Sequence, residues 1–286
     1  MDFFRAVVLG IVQGLTEFLP VSSSAHLRIV PALLGWDDPG TAFTAVVQLG
    51  TMAAVVVFFW SDLWRIASTW LRSLRDPSLR HDLDARMGWY LIIGTVPIAL
   101  LGLAFKDQIS TGARDLRVIG TTLILLGLVL FAAEKVGKRT KELDRLTTKD
   151  GVAIGLAQSL ALVPGMSRSG STISAGLFLG YTREAAARYS FLLSIPAVVL
   201  SGLFELKDVG SGGSYGLGPT IVATILAFVV GYAAIAWLLK FLTHHPVTVF
   251  VAYRVAVGAL ILVLVATGTL VANQPAVGNY LHTLRR

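Results

Sequence analysis

The chain has 286 residues, no cysteine and a formal net charge of +7; 55% of its residues are hydrophobic and 14% charged. With a mean hydropathy of +0.72, it lies outside the balance of a water-soluble domain and belongs in a bilayer. The absence of cysteine excludes a disulfide framework, a thiolate metal site and a cysteine nucleophile. The basic charge sits mostly in loops beside apolar segments, where Lys and Arg set topology, so nucleic acid is not an expected partner.

The N-terminus reads Met1-Asp2-Phe3-Phe4-Arg5. An early acid, polar Gln13 and Glu17 inside the first apolar run, and no small-residue cleavage site after it argue against a cleaved signal peptide. Residues 6–19 form a short apolar run. A polar break at Pro20-Val21-Ser22-Ser23-Ser24-Ala25-His26 follows, then a second short run ending at Leu34. Residues 41–60, 118–133, 221–239 and 250–270 approach the roughly 20 apolar residues that cross a bilayer as a helix, and residues 89–105 add a further span. Residues 152–163 are again short, broken at Pro164-Gly165-Met166-Ser167-Arg168-Ser169-Gly170-Ser171-Thr172 and followed by an apolar run over 173–179. Backbone that leaves the helix at membrane depth must be buried in protein or line a wet cavity. Both breaks therefore read as tips of re-entrant hairpins.

Gly14-Leu15-Thr16-Glu17-Phe18-Leu19 returns as Gly155-Leu156-Ala157-Gln158-Ser159-Leu160, and residues 49–56 align loosely with 193–200. Three full crossings per half is an odd number, so the second half is expected to be inserted upside down. The expected fold is an all-α polytopic membrane protein with an inverted-topology repeat, about six transmembrane helices and two re-entrant helical hairpins. It forms one integral membrane domain, residues 1–286, with halves 1–140 and 141–286. The loops holding Arg65, Arg72, Arg75, Arg80 and Arg86, and Lys135, Lys138, Arg139, Lys141, Arg145 and Lys149, should face the cytoplasm. The loops with Lys106, Arg114 and Arg117, and with Lys207 alone, should lie opposite.

Glu17 follows Gln13 by one helical turn, so the two share a face. A carboxylate in an apolar run is costly and usually functional, either as an oxygen ligand for a hard divalent cation or as a general base. Ser22, Ser23 and Ser24 place hydroxyls close to His26, which permits attack on phosphorus by a serine with His26 as base, or by His26 itself. His81, His244, His245 and His282 fall in loops or the tail and read as solvated. The 164–172 segment combines glycines, hydroxyls, free helix-start amides and the Arg168 guanidinium, which together make an anion cradle. It lacks the Gly-Lys-[Ser/Thr] ending of a Walker loop. A phosphorylated lipid entering sideways from the bilayer is the expected substrate.

The run Gln13-Gly14-Leu15-Thr16-Glu17-Phe18-Leu19-Pro20-Val21-Ser22-Ser23-Ser24-Ala25-His26-Leu27, with the 164–172 segment, closely resembles the bacterial undecaprenyl-diphosphatase family of the bacitracin-resistance type. The resemblance implies hydrolysis of undecaprenyl diphosphate to undecaprenyl phosphate and inorganic phosphate, recycling the carrier lipid of cell-wall synthesis. It implies dependence on a divalent cation, Mg²⁺ or Ca²⁺, with Glu17 as its ligand. It assigns catalysis to Glu17, Ser23, His26 and Arg168. Substrate contacts are expected from Gln13, Ser22, Ser24, Gly165, Ser167, Ser169, Gly170 and Thr172. Gln13 stands where many members have Glu, and Ala25 where Gly is common. The Lys-to-Arg-Pro motif of the membrane phosphatidate-phosphatase type is missing.

The rival reading is a lipid-phosphate flippase, since inverted repeats with broken helices also build transporters. The other partners expected are membrane lipids and, for assembly, a homodimer. The location expected is the bacterial inner membrane, with the site open to the periplasm. Introduced into a chain that otherwise lacks cysteine, Ser23→Cys should react with a membrane-impermeant thiol reagent from the outer face; labelling only from the cytoplasmic face would reverse that orientation.

Overall fold

The computed structural model describes residues 2–105, 114–205 and 216–273. The chain is an all-α polytopic membrane protein. Eleven α-helices are described: α1 (Phe3–Phe18), α2 (Ser23–Leu33), α3 (Gly40–Phe58), α4 (Trp60–Ser73), α5 (Leu83–Ala104), α6 (Leu116–Val136), α7 (Thr148–Gln158), α8 (Arg168–Phe178), α9 (Arg183–Glu205), α10 (Leu217–His244) and α11 (Thr248–Ala266). Helices α5, α6, α10 and α11 are each long and apolar enough to cross a membrane, and α3 joined to α4 passes the same test as a broken span. Helix α9, at 23 residues, reaches about 34 Å, also long enough to cross. Helices α2, α7 and α8 have 11 residues each, about 16 Å, and cannot. The expected loop positions of Lys106, Lys207 and His282 lie outside the described residues, whereas His81, His244 and His245 are solvent-exposed.

One element departs from the sequence reading. Residues 61–88 were expected to be a loop, but α4 occupies most of the first half, bent 72° from α3. Trp60, Trp64 and Leu71 form an exposed apolar stripe, while Asp62, Ile66, Thr69 and Ser73 form the buried one. An apolar stripe flanked by arginines is the pattern of a helix lying in the membrane interface. Its Asp62 carboxylate accepts from Arg188 at 2.6 Å and Arg65 at 3.2 Å, which ties it to α9.

The same order of elements occurs twice: short helix, elbow, short helix, then long helices. The packing also corresponds. Helix α1 packs along α10, α7 packs along α5, and α6 packs against α11. Glycines set the approach of each pair, because any side chain would hold the backbones apart. A Cβ on Gly10 would sit 2.5 Å from the Ala223 carbonyl, one on Gly155 2.4 Å from Gly94 Cα, and one on Gly258 2.7 Å from the Gly120 carbonyl. Gly155→Ala should therefore destabilise the protein by about 1–3 kcal/mol through overpacking. Gly102→Ala, whose added carbon meets only Leu162 Cδ2 at 3.6 Å, should be neutral or stabilising by up to about 1 kcal/mol. Thermal unfolding in detergent checks the pair, and equal midpoints would contradict the packing argument.

Candidate active site

Each short-helix pair turns through an elbow that ends in a serine with positive φ: Ser22 at 76° and Ser167 at 65°. That conformation is strained for an L-residue and persists where surrounding contacts hold it. Both serines then cap the helix that follows, Ser22 Oγ accepting from the Ala25 amide and Ser167 Oγ from the Gly170 amide. The elbows correspond atom by atom at an offset of 145 residues. Leu19 and Pro164 carbonyls accept from the hydroxyls of Ser169 and Thr122, at 3.1 and 2.6 Å. Pro20 and Gly165 carbonyls both accept from Arg254, each at 3.0 Å. The Ser22 carbonyl accepts from His26 Nδ1 at 2.7 Å, and the Ser167 carbonyl from Ser171 Oγ at 2.9 Å. Before the elbows the offset is 141; the extra four residues form the 3₁₀ turn Ser159–Leu162.

The first residues of α2 and α8 are Ser23 and Arg168, and they meet at Glu17. Glu17 Oε1 pairs with Arg168 Nη2. Glu17 Oε2 accepts from Ser23 Oγ at 2.6 Å and from Gln13 Nε2 at 3.0 Å. The Glu17 side chain is 7% exposed and that of Arg168 16%, so the charges are largely shielded yet reachable. A carboxylate accepts at every contact, so Gln13 must turn its NH₂ toward Glu17. That leaves Gln13 Oε1 buried without a hydrogen-bond partner, while Nε2 also reaches Thr51 Oγ1 at 3.3 Å. The first-turn amides of α2 and α8 add the positive ends of two helix dipoles beside the pair, an arrangement that favours an anion.

Other residues named from the sequence serve the frame. The buried His26 ring is committed on both nitrogens, to the Ser22 carbonyl and to Tyr253 Oη at 2.8 Å, and it stacks on the Tyr253 ring. A carbonyl can only accept, so Nδ1 carries the proton and Nε2 takes Tyr253's. His26 therefore has no nitrogen turned to Ser23, and its position matches that of Ser171, a strut in the second elbow. Thr172 is fully buried and bonds the Arg168 carbonyl and Ser190 Oγ, at 2.9 and 2.6 Å, which ties α8 to α9. Ser169 holds the first elbow, as above. Ser22 Oγ and Ser24 Oγ lie 3.2 Å apart, as do Ser167 Oγ and Ser169 Oγ. Gly165 has φ +83°, and a Cβ there would overlap Thr122 Oγ1 at 2.2 Å; one on Gly170 would meet Leu126 at 3.0 Å. No group of three His, Asp or Glu side chains placed to hold a metal occurs among the described residues.

The chain matches the bacitracin resistance protein BacA family over residues 6–260. The chain belongs to the BacA family. It is similar to an undecaprenyl-diphosphatase of Nocardioides sp., 60% identical over 273 residues covering 95% of this chain and 100% of that protein. It is also similar to undecaprenyl-diphosphatase 2 of Streptomyces avermitilis, at 53% identity with 94% and 97% covered, and to an undecaprenyl-diphosphatase of Thermobifida fusca, at 52% with 96% and 94% covered.

Reading motifs alone missed three residues of this BacA-family site. Arg254 and Tyr253 lie in the last apolar helix and Thr122 in α6. Arg254 carried a legible signal, a single cation inside an apolar span; Thr122 carried none, because Thr commonly bonds its own helix. Tyr253→Phe removes the donor to His26 Nε2 and should cost about 1–2 kcal/mol. A thermal midpoint equal to wild type would show that this hydrogen bond does not hold the ring.

Proposed function

We propose that this chain hydrolyses undecaprenyl diphosphate to undecaprenyl phosphate and inorganic phosphate, with Ser23 as nucleophile, Glu17 as its base and Arg168 as the charge that receives the diphosphate. The observation that carries this reading is the contact of all three at one carboxylate: Ser23 Oγ 2.6 Å from Glu17 Oε2 and Arg168 on Glu17 Oε1. The names of the relatives supply the substrate.

Ser23 Oγ attacks the terminal phosphorus while Glu17 takes its proton; the bond to undecaprenyl phosphate breaks and Glu17 passes that proton to the departing oxygen. Water then attacks the phosphoserine with Glu17 again as base, the P–Oγ bond breaks, the proton returns to Ser23 Oγ, and inorganic phosphate leaves. Arg168 exchanges its bond to Glu17 for bonds to phosphoryl oxygens, which frees the carboxylate as the substrate seats. Phosphoryl transfer asks mainly for positioning and charge neutralisation. His26 holds the Ser22 carbonyl and so aims Ser23 rather than attacking. A nucleophile paired with a base has no use in a flippase, and this pair favours hydrolysis.

A divalent cation, Mg²⁺ or Ca²⁺, fits the donor set. The orphaned Gln13 Oε1 and the Glu17 carboxylate are hard oxygens, and Mg²⁺ is commonly held by one or two carboxylates with substrate phosphates. When bound, it supplies further neutralisation of phosphoryl charge.

The basic loops favour a cytoplasmic-membrane orientation in which the first hairpin enters from the outer face and the second, in an upside-down half, from the cytoplasm. The site then serves diphosphate released outside the cell. Ser23→Ala, Glu17→Gln and Arg168→Ala, each purified and folded, should release phosphate from the diphosphate lipid at least ~10²-fold more slowly. Near wild-type release by any of them would remove that residue from the scheme, and no release by the wild type would remove the reaction.

A further inference from the structure

Arg254 is fully buried in α11 and stands in none of the ion pairs of the described residues. Its guanidinium is satisfied by carbonyls alone. Nε donates to the Leu123 carbonyl at 3.1 Å and Nη2 to that of Thr122 at 3.4 Å, both on α6. Nη1 donates to the Pro20 carbonyl and Nη2 to the Gly165 carbonyl, each at 3.0 Å. Pro20 lies three residues before Ser23 and Gly165 three before Arg168. One planar group thus ties corresponding points of both elbows to each other and to a membrane-crossing helix. Burying a cation without a carboxylate is costly, and packing alone would be served as well by an apolar side chain.

We propose that Arg254 is a positioning residue for phosphoryl transfer: its fork fixes the first elbow against the second and so sets Ser23 against Arg168, with Thr122 holding the neighbouring Pro164 carbonyl at 2.6 Å. A second consequence concerns charge. Glu17 and Arg168 cancel one another, so Arg254 leaves one positive charge in excess behind the elbows, in keeping with an anionic substrate. The two roles separate on substitution. Lys keeps the charge but is a point donor that cannot span both elbows and α6 at once.

The inference rests on the proposed roles of Ser23, Glu17 and Arg168, and the experiment separates the two. Wild type, Ser23→Ala, Arg254→Lys and Thr122→Val are purified as full chains in detergent. Each is measured for thermal midpoint, for kcat and KM on the diphosphate lipid, and for backbone hydrogen exchange over residues 19–24 and 163–170. Folded Arg254→Lys should lose on the order of 10²-fold in kcat, the scale of a misplacement of about 1 Å, with KM changed by less than about threefold. Both elbows should exchange faster while α10 does not. Wild-type kcat in folded Arg254→Lys overturns the proposal, and so does a rise in KM at unchanged kcat, which would make Arg254 a binding group. If Arg254→Lys does not fold, Thr122→Val carries the test: a smaller kcat loss at unchanged KM is expected, and wild-type kcat overturns the claim. If the wild type releases no phosphate, or Ser23→Ala releases it normally, the proposed chemistry falls. Elbow exchange then decides alone, and unchanged exchange in Arg254→Lys overturns the tie.

Discussion

A helix that stops inside a bilayer exposes carbonyls that no water can reach, and each one left unsatisfied costs several kcal/mol. This chain stops two helices there. Every other feature of its centre follows from how the freed carbonyls are met. The Leu19 and Pro164 carbonyls take hydroxyls, those of Ser22 and Ser167 take side chains from the following turn, and those of Pro20 and Gly165 share Arg254. Because the donors come from the opposite elbow, from α6 and from α11, satisfying the backbone also fixes where the elbows lie. The strained serines at positive φ are held by the same bonds, and they turn the first residues of α2 and α8 toward each other.

The charge arrangement obeys the same limit. A lone carboxylate at Glu17 would be prohibitive at this depth, and Arg168 relieves it. A guanidinium in partial contact with solvent can change partners, so the pair stabilises the resting protein without sealing the site. In the proposed scheme, Arg168 keeps a negative partner throughout as the anion arrives, and Glu17 is freed to act as a base. The hydrogen bonds from Gln13 and Ser23 keep that carboxylate solvated in the interval.

Much of this was legible in the sequence. The two polar breaks were visible because short apolar runs flank them, and Glu17, Ser23 and Arg168 stood out as polar groups at such breaks. Glu17 and Arg168 come from different halves of the chain, and the fold brings them into contact. Sequence nearness suggested His26 as a base for a serine or as the attacking group; in this structure both of its ring nitrogens bond elsewhere, to the Ser22 carbonyl and Tyr253. In a helix, a residue four places after the N-cap points back to the cap carbonyl, which is where its ring went. Helix α4 was missed because its arginines read as a loop when only mean hydropathy is weighed; the stripe of Trp60, Trp64 and Leu71 is a matter of period. Arg254 could be noticed as a cation in an apolar span, but its partners are carbonyls scattered over 234 positions, and carbonyls leave no mark in a sequence.

The two elbows share a backbone but not a chemistry, and the proposed scheme depends on that difference. At equivalent places one carries Ser23 and the other Arg168; before the elbows, one carries Glu17 and the other Gln158, whose amide is fully buried and reaches the Gly94 carbonyl at 3.4 Å. A carboxylate in place of Gln158 would lose the donor that reaches the Gly94 carbonyl and would stand as a buried charge without a partner. Had both elbows kept an arginine at the helix start, the hydroxyl that reaches Glu17 would be missing. A serine and an acid on one side opposite a guanidinium on the other give a neutral resting centre. The charge left over belongs to Arg254, buried behind both, which in the proposed scheme adds to the pull on phosphate without competing for Glu17.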